Sequence, residues 1–261
     1  MTERPNILEL LNLSIGYKTK KKKTVVANNI NVSVEQGNLV CILGKNGIGK
    51  STLLRTIARV QPKISGRVNL SDFELESFSS IELAKKIGLV LTERIPTGNL
   101  TVYELIALGR QPYTNWLGTL TKEDREQVKT AIEKTNLTEL LNSRCDELSD
   151  GQLQRVMICR ALAQDTPIII LDEPTAHLDI QNKMVTFKLL KKLAHQLNKT
   201  IIISTHEAQL ALQLADQLWL MTDNGLIDGD PKTLIKNNNI NDLFDSNVVH
   251  FDGRTNQFLM N

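Results

Sequence analysis

No stretch of this 261-residue sequence approaches the apolar length needed to span a bilayer. Residues 1–6, Met-Thr-Glu-Arg-Pro-Asn, lack an apolar signal core. The expectation is therefore a chain that stays in the cytoplasm and reaches a membrane only through a partner. An excess of charge is missing too. The net charge is +2, so nothing in the balance suggests a nucleic-acid binder. Cysteine is scarce, and Cys41, Cys145 and Cys159 show no close metal-ligand spacing. Cys41 sits in an apolar strand-like run and Cys159 in an apolar helix-like run, so buried free thiols in a reducing compartment are expected. No internal repeat occurs. What remains is an ordinary globular composition, with length for a substantial core near the upper limit of one domain.

The most informative stretch is 44–52: Gly44, Lys45, Asn46, Gly47, Ile48, Gly49, Lys50, Ser51 and Thr52. Gly44, Gly49, Lys50 and Ser51 match G-x-x-x-x-G-K-S/T, the phosphate-binding P-loop. An apolar strand-like run, 39–43, precedes it, and a helix-like run, 53–58, follows. The pattern has a mechanical cause. Small residues let successive backbone N–H groups curl round a phosphate, and the following helix aims its positive end at the same anion. Lys50 can reach the outer phosphates, and the Ser51 hydroxyl can ligate Mg²⁺. A nucleoside triphosphate with Mg²⁺ is the expected ligand.

Before the P-loop, 6–17 and 24–34 read as a strand and its return strand, separated by the basic run 18–23. That run is most simply a solvated hairpin tip whose charges repel, with a membrane or nucleotide-phosphate contact as the alternative. Further strands are expected at 66–70, 87–91, 168–171, 200–204 and 217–221, the last closed by a turn at 223–225. Helices are expected at 101–109, 121–141, from 149 to 163, 182–197 and 207–215, with Thr121 and Asp124 capping the second. The block 94–165 reads as a helical insertion into an α/β core with a mainly parallel sheet. The flanking segments 1–93 and 166–230 carry that core and an antiparallel β part. The polar tail 231–261 carries no readable pattern.

Asp172 and Glu173 end the apolar run 168–171. There Asp172 can hold Mg²⁺ or its water shell, and Glu173 can orient or deprotonate an attacking water. His206 follows the strand 200–204, where its imidazole could hydrogen-bond to charge developing on a γ-phosphate. His177, His195 and His250 read as structural.

Residues 148–152, Leu-Ser-Asp-Gly-Gln, resemble the signature motif of ATP-binding-cassette proteins. Residues 176–179, Ala-His-Leu-Asp, resemble the loop that links the two sites in that family. The order of P-loop, signature, Asp-Glu and switch His is that of an ABC ATPase, over about residues 6–230. The resemblance implies a P-loop NTPase fold with an antiparallel β subdomain and an inserted helical subdomain. It implies ATP and Mg²⁺, and two copies bound head to tail. Ser149, Asp150, Gly151 and Gln152 of one copy would contact the ATP held on the P-loop of the other, with Asp179 between sites. Tyr17 falls where the family stacks an aromatic on adenine; a core or strand-surface Tyr is the alternative. Glu93 aligns where the family has a Gln near the metal, and Asp150 where Gly is usual. Both place extra negative charge near ATP, which could slow turnover.

Residues 101–113 and 173–180 are similar to ATPases that import iron-siderophores, haem and cobalamin. The implied protein is the ATPase subunit of a bacterial iron-chelate importer, peripheral on the cytoplasmic face of the membrane. It would work with integral permease subunits docked around 93–118, and indirectly with a substrate-binding protein. Gly98, Leu100, Val102 and Tyr103 are candidate contacts, or simply packing within the block. Haem or cobalamin import, a soluble ABC ATPase of cofactor assembly, and a clamp with little hydrolysis are the alternatives.

Overall fold

The computed structural model describes residues 5–18, 22–92, 98–244 and 248–260. Half-buried alternation forms β1 (Asn6–Lys18) and its antiparallel partner β2 (Lys23–Glu35). Lys18 pairs with Lys23 at the connected end of the hairpin, while 19–21, inside the expected basic tip, lie outside the described residues. The P-loop strand is β3 (Leu39–Gly44), followed by α1 (Lys50–Ile57). Then come β4 (Ser65–Leu70), β5 (Phe73–Glu74), α2 (Ser80–Ala84) and β6 (Ile87–Val90).

Between β6 and the next long strand the described chain is helical: α3 (Val102–Ala107), α4 (Lys122–Thr135) and α5 (Asp150–Ala163), joined by 3₁₀ turns. The α/β alternation resumes with β7 (Ile168–Asp172), α6 (Ile180–Leu197), β8 (Thr200–Ser204), α7 (Ala208–Leu214), β9 (Gln217–Thr222) and β10 (Gly225–Gly229). The chain closes with α8 (Pro231–Lys236), β11 (Val249–Asp252) and β12 (Gln257–Met260).

The main sheet has the order β10-β9-β3-β8-β7-β6, parallel throughout except for β10 against β9. A second, antiparallel sheet has the order β2-β1-β4-β5. The continuous apolar runs of β3, β7 and β8 follow from burial on both faces. Side chains alternate across a strand. Val40, Ile42, Ile168, Ile170, Ile202 and Trp219 therefore pack with α1 and the antiparallel sheet. Leu39, Cys41, Leu43, Ile169, Leu171, Ile201 and Ile203 pack with α5, α6 and the helical block.

Four helices open on capping boxes: Ser79 with Glu82, Thr101 with Glu104, Thr121 with Asp124, and Ser149 with Gln152. Two expectations need correction. The helix expected to run to 141 stops at Thr135, because Asn136 takes the left-handed conformation (φ 54°) and ends it. Leu137 nonetheless turns back into the core. The tail is also more than polar filler. Leu234, Ile240, Leu243 and Phe251 are buried in the same core cluster as α5 and α6. All three cysteines are buried, as expected, and burial pushes the Cys159 thiol up to about 12.

Candidate active site

The P-loop leaves β3 at Gly44 and enters α1 at Lys50. Gly49, the residue before α1, has φ 115°, and a Cβ there would lie 2.5 Å from the Val26 side chain. Only glycine satisfies both the angle and the space. Lys50 is buried, and its ammonium donates to the carbonyls of Gly44 (2.8 Å) and Lys45 (3.2 Å). Burial holds it below the usual lysine range, against the opposing pull of the Glu173 and Asp172 carboxylates. Lys45, Asn46 and Gly47 stand exposed at the loop tip, with Ile48 half-buried beneath them. The Lys45 ammonium meets Asp223 at 3.2 Å.

A line of hydrogen bonds runs away from the P-loop. Ser51 Oγ donates to Asp172 Oδ1 at 3.0 Å, and Ser204 Oγ donates to the same oxygen at 2.6 Å. Ser204 Oγ in turn accepts the Glu173 backbone N–H at 2.9 Å. The Glu173 carboxylate accepts from His206 Nε2 at 2.8 Å. Asp172 is buried, whereas Glu173 and His206 remain partly open to solvent. Glu173 has φ 50°, a conformation costing a non-glycine residue about 1–2 kcal/mol. Its N–H bond to Ser204 and its carbonyl's bond from Ala176 N–H hold that turn. The sharp reversal points the carboxylate off the strand end toward His206.

Sequence reasoning missed Ser204 and Thr92, whose hydroxyl donates to the Asp172 carbonyl at 2.9 Å. Ser204 enters the site through register, because it pairs with Asp172 across β7 and β8. Tyr17, half exposed, shares a 3.1 Å hydrogen bond with Thr52 at the start of α1, which puts its ring beside the P-loop. Glu93 lies outside the described residues.

The signature residues form a separate cluster. Ser149 caps α5, accepting from Gln152 N–H, while Gln152 Oε1 accepts the Ser149 N–H at 2.9 Å. Ser149 and Asp150 are exposed. Gly151 faces Asn182 of α6, whose side chain a Cβ would meet at 3.0–3.2 Å. Asn182 also donates to Asp179, the N-cap of α6, from its backbone (2.7 Å) and its side chain (2.9 Å). Asn182 thus ties Asp179 to the signature turn.

The family model described as ABC transporter matches residues 27–176. This chain belongs to the ABC transporter family. Among the family's curated members it is 36% identical to the ferric enterobactin transport ATP-binding protein of Escherichia coli over 236 residues, 90% of this chain and 86% of that one. A solved ABC transporter of metal-chelate type, in an inward-facing conformation, superposes with a TM-score of 0.79 at 26% identity. That match covers 92% of this chain and 89% of the other. A dimeric ATP-binding cassette solved with ADP and Pi superposes with a TM-score of 0.72 at 29% identity, covering 86% and 98%. As in other ABC proteins, ATP is the nucleotide this chain binds and hydrolyses. No helix among the described residues is long and apolar enough to cross a membrane.

Proposed function

We propose that this chain is the ATP-hydrolysing subunit of an ABC importer that takes up an iron chelate of the siderophore class. The observation that carries the catalytic part is the unbroken hydrogen-bonded line from Ser51 through Asp172, Ser204 and Glu173 to His206, beside Lys50. The names of the relatives that transport ferric siderophores support the cargo class.

Lys50 and the P-loop N–H groups hold the phosphates, and the Tyr17 ring stacks on adenine. Glu173 accepts a proton from the attacking water as its oxygen bonds to the γ-phosphorus and the bond to the bridging oxygen breaks. His206 holds the Glu173 carboxylate by its Nε2–H and can turn toward charge developing on the γ-phosphate. Ser51 Oγ and the Asp172 carboxylate are hard oxygen donors of the kind Mg²⁺ takes. Among the described residues no group of three or more His, Cys, Asp or Glu side chains could hold a metal alone. Phosphate oxygens would complete the shell, as is usual for this ion. When bound, Mg²⁺ supplies positive charge at those oxygens.

Ser149–Gln152 open α5 toward solvent, so a second copy placed head to tail presents its signature to this P-loop. The two copies dock on integral permease subunits through the surface around 93–118 at the cytoplasmic face of the membrane. A substrate-binding protein delivers cargo to the permease. Recovery of the tagged chain from detergent-solubilised membranes tests this reading. It predicts co-purification of a polytopic permease with stimulated ATP hydrolysis, and loss of radiolabelled iron-chelate uptake by cells carrying Glu173→Gln. Recovery of non-membrane partners alone would overturn the importer and leave an ABC ATPase of another machine.

A further inference from the structure

The C-terminal segment reaches the catalytic side of the molecule. Leu243 and Phe244 line a cavity of about 210 Å³ whose other walls include Lys45, Asn46, Thr205 and His206. Residues nearly 40 positions past His206 in the chain therefore share a space with the P-loop and that histidine.

The segment is built to hold that place. Leu243 is buried in the main core. The Phe244 ring packs edge-on against Phe258 at 5.0 Å, and Phe251 packs on the same ring at 4.9 Å. The Asn241 side chain clamps Phe251 by both backbone groups, accepting its N–H at 2.6 Å and donating to its carbonyl at 3.3 Å. The β11–β12 hairpin is also fastened to α7, because Gln209 Nε2 donates to the Asn256 carbonyl at 3.0 Å.

That helix begins two residues after His206 and is only seven residues long. Its N-cap, Glu207, makes no side-chain cap hydrogen bond and is drawn instead into an ion pair with Lys183 at 2.6 Å. The start of α7 is held instead by Thr205, whose Oγ1 accepts the Glu207 N–H at 3.0 Å and which lines the same cavity. The C-terminal segment contacts it from outside at Gln209 and closes the cavity beside His206 at Phe244. The His206 imidazole, partly exposed, hydrogen-bonds the Glu173 carboxylate, and His206 lines this cavity.

We propose that the C-terminal segment is a positioning element for hydrolysis, and that Phe244 is its positioning residue, acting on the rate through His206. The inference rests on the role given to His206 above. Without the aromatic wall the cavity widens, and the imidazole and the first turn of α7 can shift from the position in which Nε2 meets Glu173. A displacement of about 1 Å can cost up to a hundredfold in rate.

The test is a double-mutant cycle on the full-length chain, using Phe244→Ala and His206→Ala, with kcat and KM for ATP measured separately. Phe244→Ala is expected to lower kcat about tenfold or more while KM for ATP changes less than about twofold. In the His206→Ala background the same substitution is expected to cost nothing further. Phe244→Tyr, which keeps the ring, is expected to restore kcat. Phe244→Leu serves the same cycle should the alanine variant fail to fold. A loss from Phe244 that adds in full to the loss from His206, or one that falls mainly on KM, would overturn the proposal and leave the role of His206 standing. No loss from His206→Ala alone would overturn both.

Discussion

The P-loop half of the site and the signature half are built by opposite means. The first is stitched into the sheet. Asp172, Ser204 and Glu173 stand at the ends of neighbouring parallel strands, and their bonds cross from α1 to β7 to β8. Lys50 and Asp172 are buried. In the second, Ser149 and Gln152 bond each other across one exposed turn, and Gly151 rests on a single side chain of α6. A half-site braced by the core can be formed within one chain. A half-site made of an exposed helix start is open to solvent, as the proposed head-to-tail pairing of two copies requires. Under the proposed pairing, the difference would let one P-loop and one signature serve the same reaction from two chains.

Perturbing each half should therefore give different signatures. The largest effect belongs to the braced half. Glu173→Gln should lower kcat by about 10²–10⁴-fold, the range for loss of a general base, with ATP affinity kept. Steady-state phosphate release together with nucleotide binding measures both. Loss of ATP affinity with the base would show that Glu173 holds the loop rather than the water.

Next in size is the support beneath the signature helix. Arg110 and Asp124 form a buried ion pair at 2.9 Å, and Arg110 also donates to the Ala163 carbonyl at the end of α5. Asp124→Ala should cost about 3–5 kcal/mol, since it strands a buried charge. Thermal or urea unfolding reads this directly. Burial pushes the Asp124 carboxyl up, but hydrogen bonds from Thr121 and Arg110 outweigh burial and hold it below its ordinary value. Its contribution should be complete above the unfolded pKa of about 4. It should fade as pH falls through the lower folded value, so the wild-type advantage over Asp124→Ala shrinks on acidification. An advantage that instead grows toward low pH would reverse the assignment.

Smaller effects sharpen the contrast. Ser149→Ala removes a helix cap worth about 1 kcal/mol, which unfolding would register. ATP affinity of the isolated chain should stay unchanged, while hydrolysis falls. Tyr17→Ala should weaken ATP binding by about 0.5–1.5 kcal/mol through loss of a stacking partner, with kcat little altered. Isothermal titration separates the two. A fall in ATP affinity for Ser149→Ala in the monomer would put the signature in the same site as its own P-loop and end the comparison.

What was legible in the sequence was local. The P-loop spacing, the all-apolar strand before Asp172 and the Thr121–Asp124 cap each lie within a few residues, and each sits where its chemistry requires. What was not legible depends on pairs far apart. Ser204 joins the site only because β8 lies beside β7 in a register that sets it against Asp172. Leu234, Ile240, Leu243 and Phe251 are scattered among polar residues with no helical or strand period, so their shared burial emerges only when the segment folds back on the core. Asn136 could have been read as a helix stop, since asparagine tolerates the left-handed conformation that ends α4. Glu93, the one expected metal ligand that departs from the family pattern, lies outside the described residues.

The central claim is that the exposed signature is completed by a second chain around ATP. The most direct test is the solution mass, by light scattering, of the Glu173→Gln chain with ATP, and again with ADP. The account predicts twice the 29.3 kDa chain mass with ATP. A single chain mass is predicted with ADP, and also with ATP once Ser149→Arg blocks the signature turn. A single mass with ATP demonstrably bound, or a dimer indifferent to both nucleotide and Ser149, would contradict it.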